Sequence, residues 1–234
     1  QRIMRGEDRG GEQPRILRAG LADRKRADIE REGQQHGVPI AAVLTFDECL
    51  SSDHMLAREA FAPAMLPSGR KVKIPNGVVT IDGVRMGPAP VKNEGTAIAW
   101  PKPVASETLP FSGLRVLDLG VIVVGAEQGR LLGDGGADVV KVESRAYPDG
   151  SRQSYLSYGL SASFASGHRN KRSLGINLRN PVGRALFLEL AAKADIILSN
   201  FKPGTMESLG LDFDTLASVN PALVVADSSA FGTS

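Results

Sequence analysis

The sequence predicts an α/β fold over residues 113–234, a parallel sheet with flanking helices. Three observations carry that expectation. From Gly113 onward, short continuous apolar runs ("LRVLDLG", "ADVVKVE", "ADIILSNF", "PALVVAD") alternate with helical segments. The runs lack the in–out alternation of a sheet with one wet face, so both faces should be covered. Between the second and third of them, Asn180 and Pro181 open a helix with a capping amide and a first-turn proline.

Residues 1–16, rich in Arg, Glu and Gly, read as a flexible lead-in. Residues 17–90 form a separate segment. It starts with a charged helix, "RAGLADRKRADIEREGQQHG", stopping at Gly33 or Gly37, whose basic residues are interleaved with acids as on a solvated face. "VPIAAVLTFDECL" reads as a short apolar strand followed by a helix start, with Thr45 and Glu48 at capping-box spacing. "RKVKIPNGVVTIDGVRMGPAP" reads as a strand meander with turns at Pro75-Asn76-Gly77 and Asp82-Gly83. Residues 91–112 form a proline-rich linker. In the last segment "LRVLDLG" should be the central strand, "EQGRLLGDGG" a short helix, and "NPVGRALFLELAAKA" a helix with Val182, Ala185, Leu186 and Leu190 on one face.

Composition removes several function classes. A net charge of +2 gives no footprint for nucleic acid. There is no apolar run of about 18 residues, and the opening "QRIMRGEDRGG" lacks the apolar core of a signal peptide. The single cysteine, Cys49, excludes an intrachain disulfide and fits a reducing cytoplasm. The expected localisation is cytoplasmic, with no membrane partner.

In parallel sheets ligands bind beyond the carboxyl ends of the strands. Asn200 and Phe201 lie at such an end, with Lys202 just after it and Arg179 just before the capped helix; both cations should face the ligand edge. Phe201 can offer a face to a purine ring or a pantetheine arm, or serve the core. The turn "GVIVVGAEQG" lacks the G-x-G-x-x-G spacing, and Glu127 in the following helix opposes a phosphate, which disfavours a dinucleotide, although Glu143 stands where an acid would hold a ribose. Arg169, Lys171 and Arg172 suit either phosphate binding or a solvated loop. Asp227 closes the fourth strand as either a catalytic carboxylate or a partner for neighbouring backbone groups. His36, His54 and His168 show no metal spacing, His36 and His54 read as surface residues, and Cys49 with His54 is not a credible nucleophile pair.

"FSGLRVLDLG", "GADVVKVE" and above all "NKRSLGINLRNPVGRALFLELAAKADIILSNFKPGTMESLGLDFDTLASVNPALVVADSSAFG" closely resemble the amino-terminal half of the family III CoA-transferases, the CaiB/BaiF group. Residues 17–90 resemble the carboxy-terminal part of the same family, so the order is inverted. The resemblance therefore implies a junction between two fused copies, the second beginning with a Rossmann-like part at 113–234. It implies transfer of CoA between an acyl-CoA and a carboxylic acid acceptor through an aspartate nucleophile. That aspartate is expected beyond Ser234, so no catalytic residue is assigned within this chain. Carried over by position, Val123, Val124, Ile176, Arg179, Asn200 and Phe201 would contact coenzyme A, with Lys202 beside them. Ser144 and Ser208 stand where relatives carry arginines. An acyl-CoA racemase and a non-catalytic scaffold half remain alternatives, and an interlocked dimer or pseudo-dimer is the expected assembly.

Overall fold

The computed structural model describes residues 19–88, 109–152 and 161–230. The lead-in and most of the proline-rich linker lie outside the described residues. The chain divides into two units, Gln1–Thr96 and Ala97–Ser234. Among the described residues, no helix is long and apolar enough to cross a membrane.

In the first unit, α1 (Arg26–Gln35) carries the charged sequence and has no buried residue. The apolar stretch expected as a strand at 38–44 has no regular structure. No neighbouring strand pairs with it, and Val43 is 88% exposed. Arg26 instead fastens the stretch, donating to the Val43 carbonyl at 2.7 Å and to Glu48 at 2.6 Å. The capping box forms as its spacing predicts, with Thr45 and Glu48 exchanging side-chain bonds at the start of α2 (Phe46–Leu50). After α3 (Asp53–Ala57) come two antiparallel hairpins: β1 (Phe61–Met65) with β2 (Lys71–Pro75), and β3 (Thr80–Ile81) with β4 (Val84–Arg85). Strand β1 had no signal of its own beyond its partner's alternation. No described residue of this unit is buried.

The second unit is the predicted parallel sheet, with one more strand than expected. Its order is β7-β6-β5-β8-β9, and every pairing is parallel. Strand β5 (Arg115–Asp118) is central, flanked by β6 (Asp138–Glu143) and β8 (Ile196–Ser199), with β9 (Val224–Asp227) at one edge. The added strand, β7 (Lys171–Gly175), contains Lys171 and Arg172 of the basic cluster. It escapes an apolar-run criterion because it is an edge strand: Arg172 faces water, while Lys171 is buried only by virtue of its pairing with Asp118. Helices α4 (Val124–Asp134), α5 (Ala162–Gly167), α6 (Pro181–Ala191), α7 (Thr205–Ser208) and α8 (Phe213–Val219) connect and cover the strands.

Alternate side chains of the central strands feed two cores. Leu117, Val142 and Ile197 pack with Phe187, Ala191 and Leu216 from α6 and α8. Val116, Val139 and Leu198 form the second cluster, joined by Leu132 of α4. Asn180 caps α6 by accepting the Val182 N–H at 2.9 Å. Its apolar face corrects the expectation: Val182 is 77% exposed and Leu186 41%, whereas Phe187 and Ala191 are wholly buried. The row that turns inward carries Phe187 and Ala191 into the main core, and a Cβ on Gly183 would stand 2.3 Å from the Asn177 carbonyl oxygen of the preceding loop.

Beneath the strand ends lies a buried chain of charges. Lys171 Nζ donates to Asp118 at 2.7 Å and to the Ala126 carbonyl at 2.8 Å, and lies 3.1 Å from His168 Nδ1. His168 Nε2 lies 3.3 Å from Asp149, which also pairs with Lys141 at 3.2 Å. The His168–Asp149 approach is close enough for ion pairing but lacks hydrogen-bond alignment. An ammonium at Nδ1 needs a lone pair there, which places the imidazole proton on Nε2. Burial, then the nearby Lys171 and Lys141 charges, lowers His168 from 6.5 to about 4. Burial likewise raises the Asp118 carboxyl and lowers the Lys171 ammonium, each shift opposed by the partner's charge. Such a set is tolerable only because its members are paired. Room for it comes from Gly129, where a Cβ would stand 2.3 Å from Asp118 Oδ2.

Two measurements bear on this packing. Phe187→Ala should cost about 3–5 kcal/mol, read by urea unfolding, because the cavity sits in the main core. The second concerns pH. Unfolded His168 binds a proton below 6.5, whereas the folded residue does so only near 4. The folded state thus keeps its full stability above that window and loses it as pH falls through it, by at most about 1.4 kcal/mol per pH unit. Asp149, held down to about 2 against its burial by Ser151 hydrogen bonds and Lys141, stays charged throughout. Thermal unfolding across this window should show a shallower pH slope in His168→Gln than in the unmodified chain; equal slopes would assign the effect elsewhere.

Candidate functional site

A cleft of about 240 Å³ opens beyond the carboxyl ends of the central strands, wholly within the second unit. Its floor is Leu119 and Val121 from the turn after β5, with Lys141 and Glu143 from the end of β6. Tyr147 and Asp149, Ile176 and Arg179 following β7, and Phe201 following β8 also line it. The lining is mainly apolar and carries two cations: Lys141, paired with Asp149 at 3.2 Å, and Arg179, whose guanidinium lies 5.3 Å from the Tyr147 ring centroid. That combination suits a ligand with an extended, weakly polar arm and an anionic end.

The sequence-expected residues divide into three groups. Ile176, Arg179 and Phe201 line the cleft. Asn200 shapes it: its Oδ1 accepts the Val121 N–H at 2.7 Å and its Nδ2 donates to the Val121 carbonyl at 3.0 Å. One side-chain amide thus adds a rung between β5 and β8 where the ladder has run out. Val123 and Val124 stand outside the lining at the start of α4, 73% and 54% exposed, and Lys202 is exposed beyond β8. Phe201 does both of its anticipated jobs, packing against the main core and lining the cleft.

Other candidates are committed internally. Arg169 pairs with Asp134 at 2.6 Å, Lys171 with Asp118 at 2.7 Å, and Arg172 with Asp138 at 2.9 Å. Arg169 and Arg172 are thus solvated cations in surface ion pairs, whereas Lys171 is buried. Glu143 accepts from Arg152 at 2.6 Å, which withdraws it from the ribose role. Asp227 accepts the Ser199 side-chain hydroxyl at 2.7 Å, a partner neither expectation named, and is not among the residues lining the cleft. Glu127 pairs with Arg130, and that guanidinium lowers its carboxyl. His36 and His54 are exposed, as expected.

Sequence reading missed Asp118, Lys141 and Asp149. The first two had a signal: each is a charge inside an otherwise continuous apolar strand, "RVLD" and "DVVKVE". Such a residue must be paired where it is buried. Asp149 had none, because its position in a loop says nothing of what it folds against.

Beside the cleft, sharing Leu178, Arg179 and Leu209 with it, is a second hollow of about 180 Å³. Arg184 and Ser208 complete its polar lining, and no carboxylate borders it. Ser208 spends its hydroxyl on the Thr205 carbonyl at 2.8 Å.

Comparison with known proteins agrees with this architecture. The model of the CoA-transferase family III matches residues 111–234. A probable CoA-transferase of Mycobacterium tuberculosis, Rv1866, is 45% identical over 221 residues, covering 90% of this chain and 28% of that protein. The acetyl-CoA:oxalate CoA-transferase of Acetobacter aceti is 40% identical over 125 residues, 53% of this chain and 32% of that one. Among solved structures, the orthorhombic form of Rv3272 from Mycobacterium tuberculosis superposes with a TM-score of 0.50 at 39% identity, covering 54% of this chain and 35% of that chain. The chain spans 28% to 38% of the length of the curated relatives it matches most strongly. A parallel sheet with a cleft at its carboxyl edge, the amide-and-aromatic strand tip and the match across 111–234 lead to one conclusion: the chain belongs to the CoA-transferase family III.

Proposed function

We propose that this chain supplies a coenzyme A-binding half of an enzyme that moves CoA between an acyl-CoA and a carboxylic acid. In that exchange the donor thioester gives up its CoA thiolate and leaves as a carboxylate, while the acceptor carboxylate becomes the new thioester. The observation that carries the reading is the cleft itself, apolar along Ile176 and Phe201 and cationic at Arg179. Its volume, about 240 Å³, suits a pantetheine arm and not a whole coenzyme. The phosphates would then lie toward the second hollow, where Arg179 and Arg184 both face. Arg184 compensates there for the arginine that Ser208 replaces, and Asn200 holds the turn against which the arm lies. Val123, Val124 and Lys202 sit at the rim, available to the parts of the coenzyme that extend beyond the cleft.

The transferring carboxylate comes from outside these residues. Glu143 and Asp149, the two acids bordering the cleft, are already paired with Arg152 and Lys141. A tandem arrangement supports this view. An aligned stretch of 221 residues fills 28% of Rv1866, whereas 125 residues fill 32% of the Acetobacter enzyme, so the former chain is roughly twice as long, as two fused copies require. The 221-residue match also exceeds either of this chain's units, preserving their order. Exposed apolar residues on the first unit, among them Val43, Phe46 and Val78, support an interlocked partner or pseudo-dimer that covers them. The lone Cys49 suits a cytoplasmic setting.

Calorimetric titration with CoA tests the reading. Phe201→Ala should weaken binding by about 1–3 kcal/mol through lost aromatic contact. Arg179→Ala and Arg184→Ala should weaken it more at low salt than at high salt, since phosphate contacts are screened. Loss of stability in Phe201→Ala, with no heat from millimolar CoA in any form of the chain, would establish the scaffold reading that Ser144 and Ser208 favour. In a separate assay, thioester exchange between an acyl-CoA and a free acid should remain at the level of a heat-killed control for this chain alone.

A further inference from the structure

The turn joining β5 to α4 holds an unusual conformation. Ile122 has φ of +58°, a left-handed value that a β-branched residue adopts only under constraint. Three side chains account for three successive backbone N–H groups. Asp118 Oδ1 accepts from Gly120 at 2.8 Å, Asn200 Oδ1 from Val121 at 2.7 Å, and Asp149 Oδ1 from Ile122 at 3.1 Å. Asp118 ends β5 and Asn200 directly follows β8. Asp149 alone reaches the turn from a separate loop, and it is 1% exposed.

Asp149 is itself fixed from several sides. Its Oδ1 accepts the Ser151 N–H at 2.8 Å and the Ser151 hydroxyl at 2.6 Å, while Lys141 Nζ stands 3.2 Å from its Oδ2. Lys141 Nζ also donates to the Gly120 carbonyl, so the ammonium grips the start of the same turn whose end the carboxylate holds. The two surfaces are packed as well as bonded: a Cβ on Gly150 would stand 3.1 Å from Ile122 Cγ1. Both Lys141 and Asp149 border the cleft, as does Val121.

We propose that Asp149 is a positioning residue of the cleft, holding the 120–122 turn in its strained form so that Val121 and Lys141 present the floor on which the ligand lies. On the reading of the cleft as a coenzyme A site, Asp149 touches no reacting atom and acts through the backbone of Ile122. A carboxylate is suited to this role because it accepts several bonds at once and offsets the Lys141 charge. Glycine adopts positive φ without constraint, so the need for Asp149 should diminish when residue 122 is glycine. A merely structural role in the core would show no such dependence.

Hydrogen exchange and CoA titration on the same samples test this. In the unmodified chain the Ile122 amide should exchange as slowly as those of β5. Asp149→Ala should speed its exchange at least about tenfold, and raise the CoA dissociation constant about tenfold. Adding Ile122→Gly to Asp149→Ala should recover CoA affinity to within about threefold of the unmodified chain, without restoring the thermal midpoint. The proposal is overturned if Ile122 exchanges at a free-peptide rate in the unmodified chain, a measurement needing no variant, or if the second substitution brings no recovery of affinity. A chain that binds no CoA at all removes the coenzyme reading, and the exchange rate of Ile122 still decides whether Asp149 holds the turn.

Discussion

The buried pairing of Asp118, Lys171, His168, Asp149 and Lys141 is the constraint on which the second unit is organised. Two carboxylates and two ammoniums, all nearly without solvent, sit below the strand ends. Isolated, each would carry a desolvation penalty of several kcal/mol; joined through a neutral imidazole, they compensate one another. The set ties together β5, β6, β7 and the loop at 149, four parts of the chain that hydrophobic packing alone would hold only loosely in register. Removing any of the four charged members leaves its partner unpaired, so the geometry at the carboxyl edge is over-determined from below.

That over-determination lets the upper surface depart from ordinary backbone geometry. The turn after β5 is held by side chains instead of by a ladder, with Asn200 acting as a surrogate peptide group toward Val121. A sheet edge built this way keeps a fixed floor with an open roof, which is what a cleft for an extended ligand needs. Cations are distributed accordingly. Those on β7 and just before it are neutralised by Asp118, Asp134 and Asp138, whereas Arg179 and Arg184 line hollows and, among the described residues, have no carboxylate paired with them.

Much of this was legible in the residues. The continuous apolar strands, the cap at Asn180 and the capping box at Thr45 gave the sheet and two helix starts, because each depends on short-range chemistry. Strand β7 was not legible, since an edge strand with Lys171 and Arg172 looks like a loop until its neighbour is known. The face of α6 was misjudged for a related reason. Val182, Ala185, Leu186 and Leu190 satisfy helical periodicity, but the neighbouring row with Phe187 and Ala191 does so too, and only the sheet it packs on chooses between them. At the site, Phe201 was found because it follows a legible strand and Arg179 because it precedes a legible helix cap, whereas Ile176 came only from the family resemblance, since the strand it follows was not legible. Asp149 was not, because it lies in a loop far along the chain from the Ile122 amide it holds.

The parallel sheet imposes an order on its own assembly. Strand β5 is made early but cannot be finished early: Arg115 meets Asp195 across 80 residues, and Asp118 waits 53 residues for Lys171. As the chain leaves the ribosome, β5 and β6 can pair first, yet the carboxylate of Asp118 would stay hydrated until β7 docks, and one side of β5 would stay open until β8 arrives. The central strand, first of the sheet to be made, is thus enclosed only after β6 and β7 are in place. A nascent chain halted before β8 would display a bare, apolar strand edge, which makes this segment a natural client for a chaperone during synthesis.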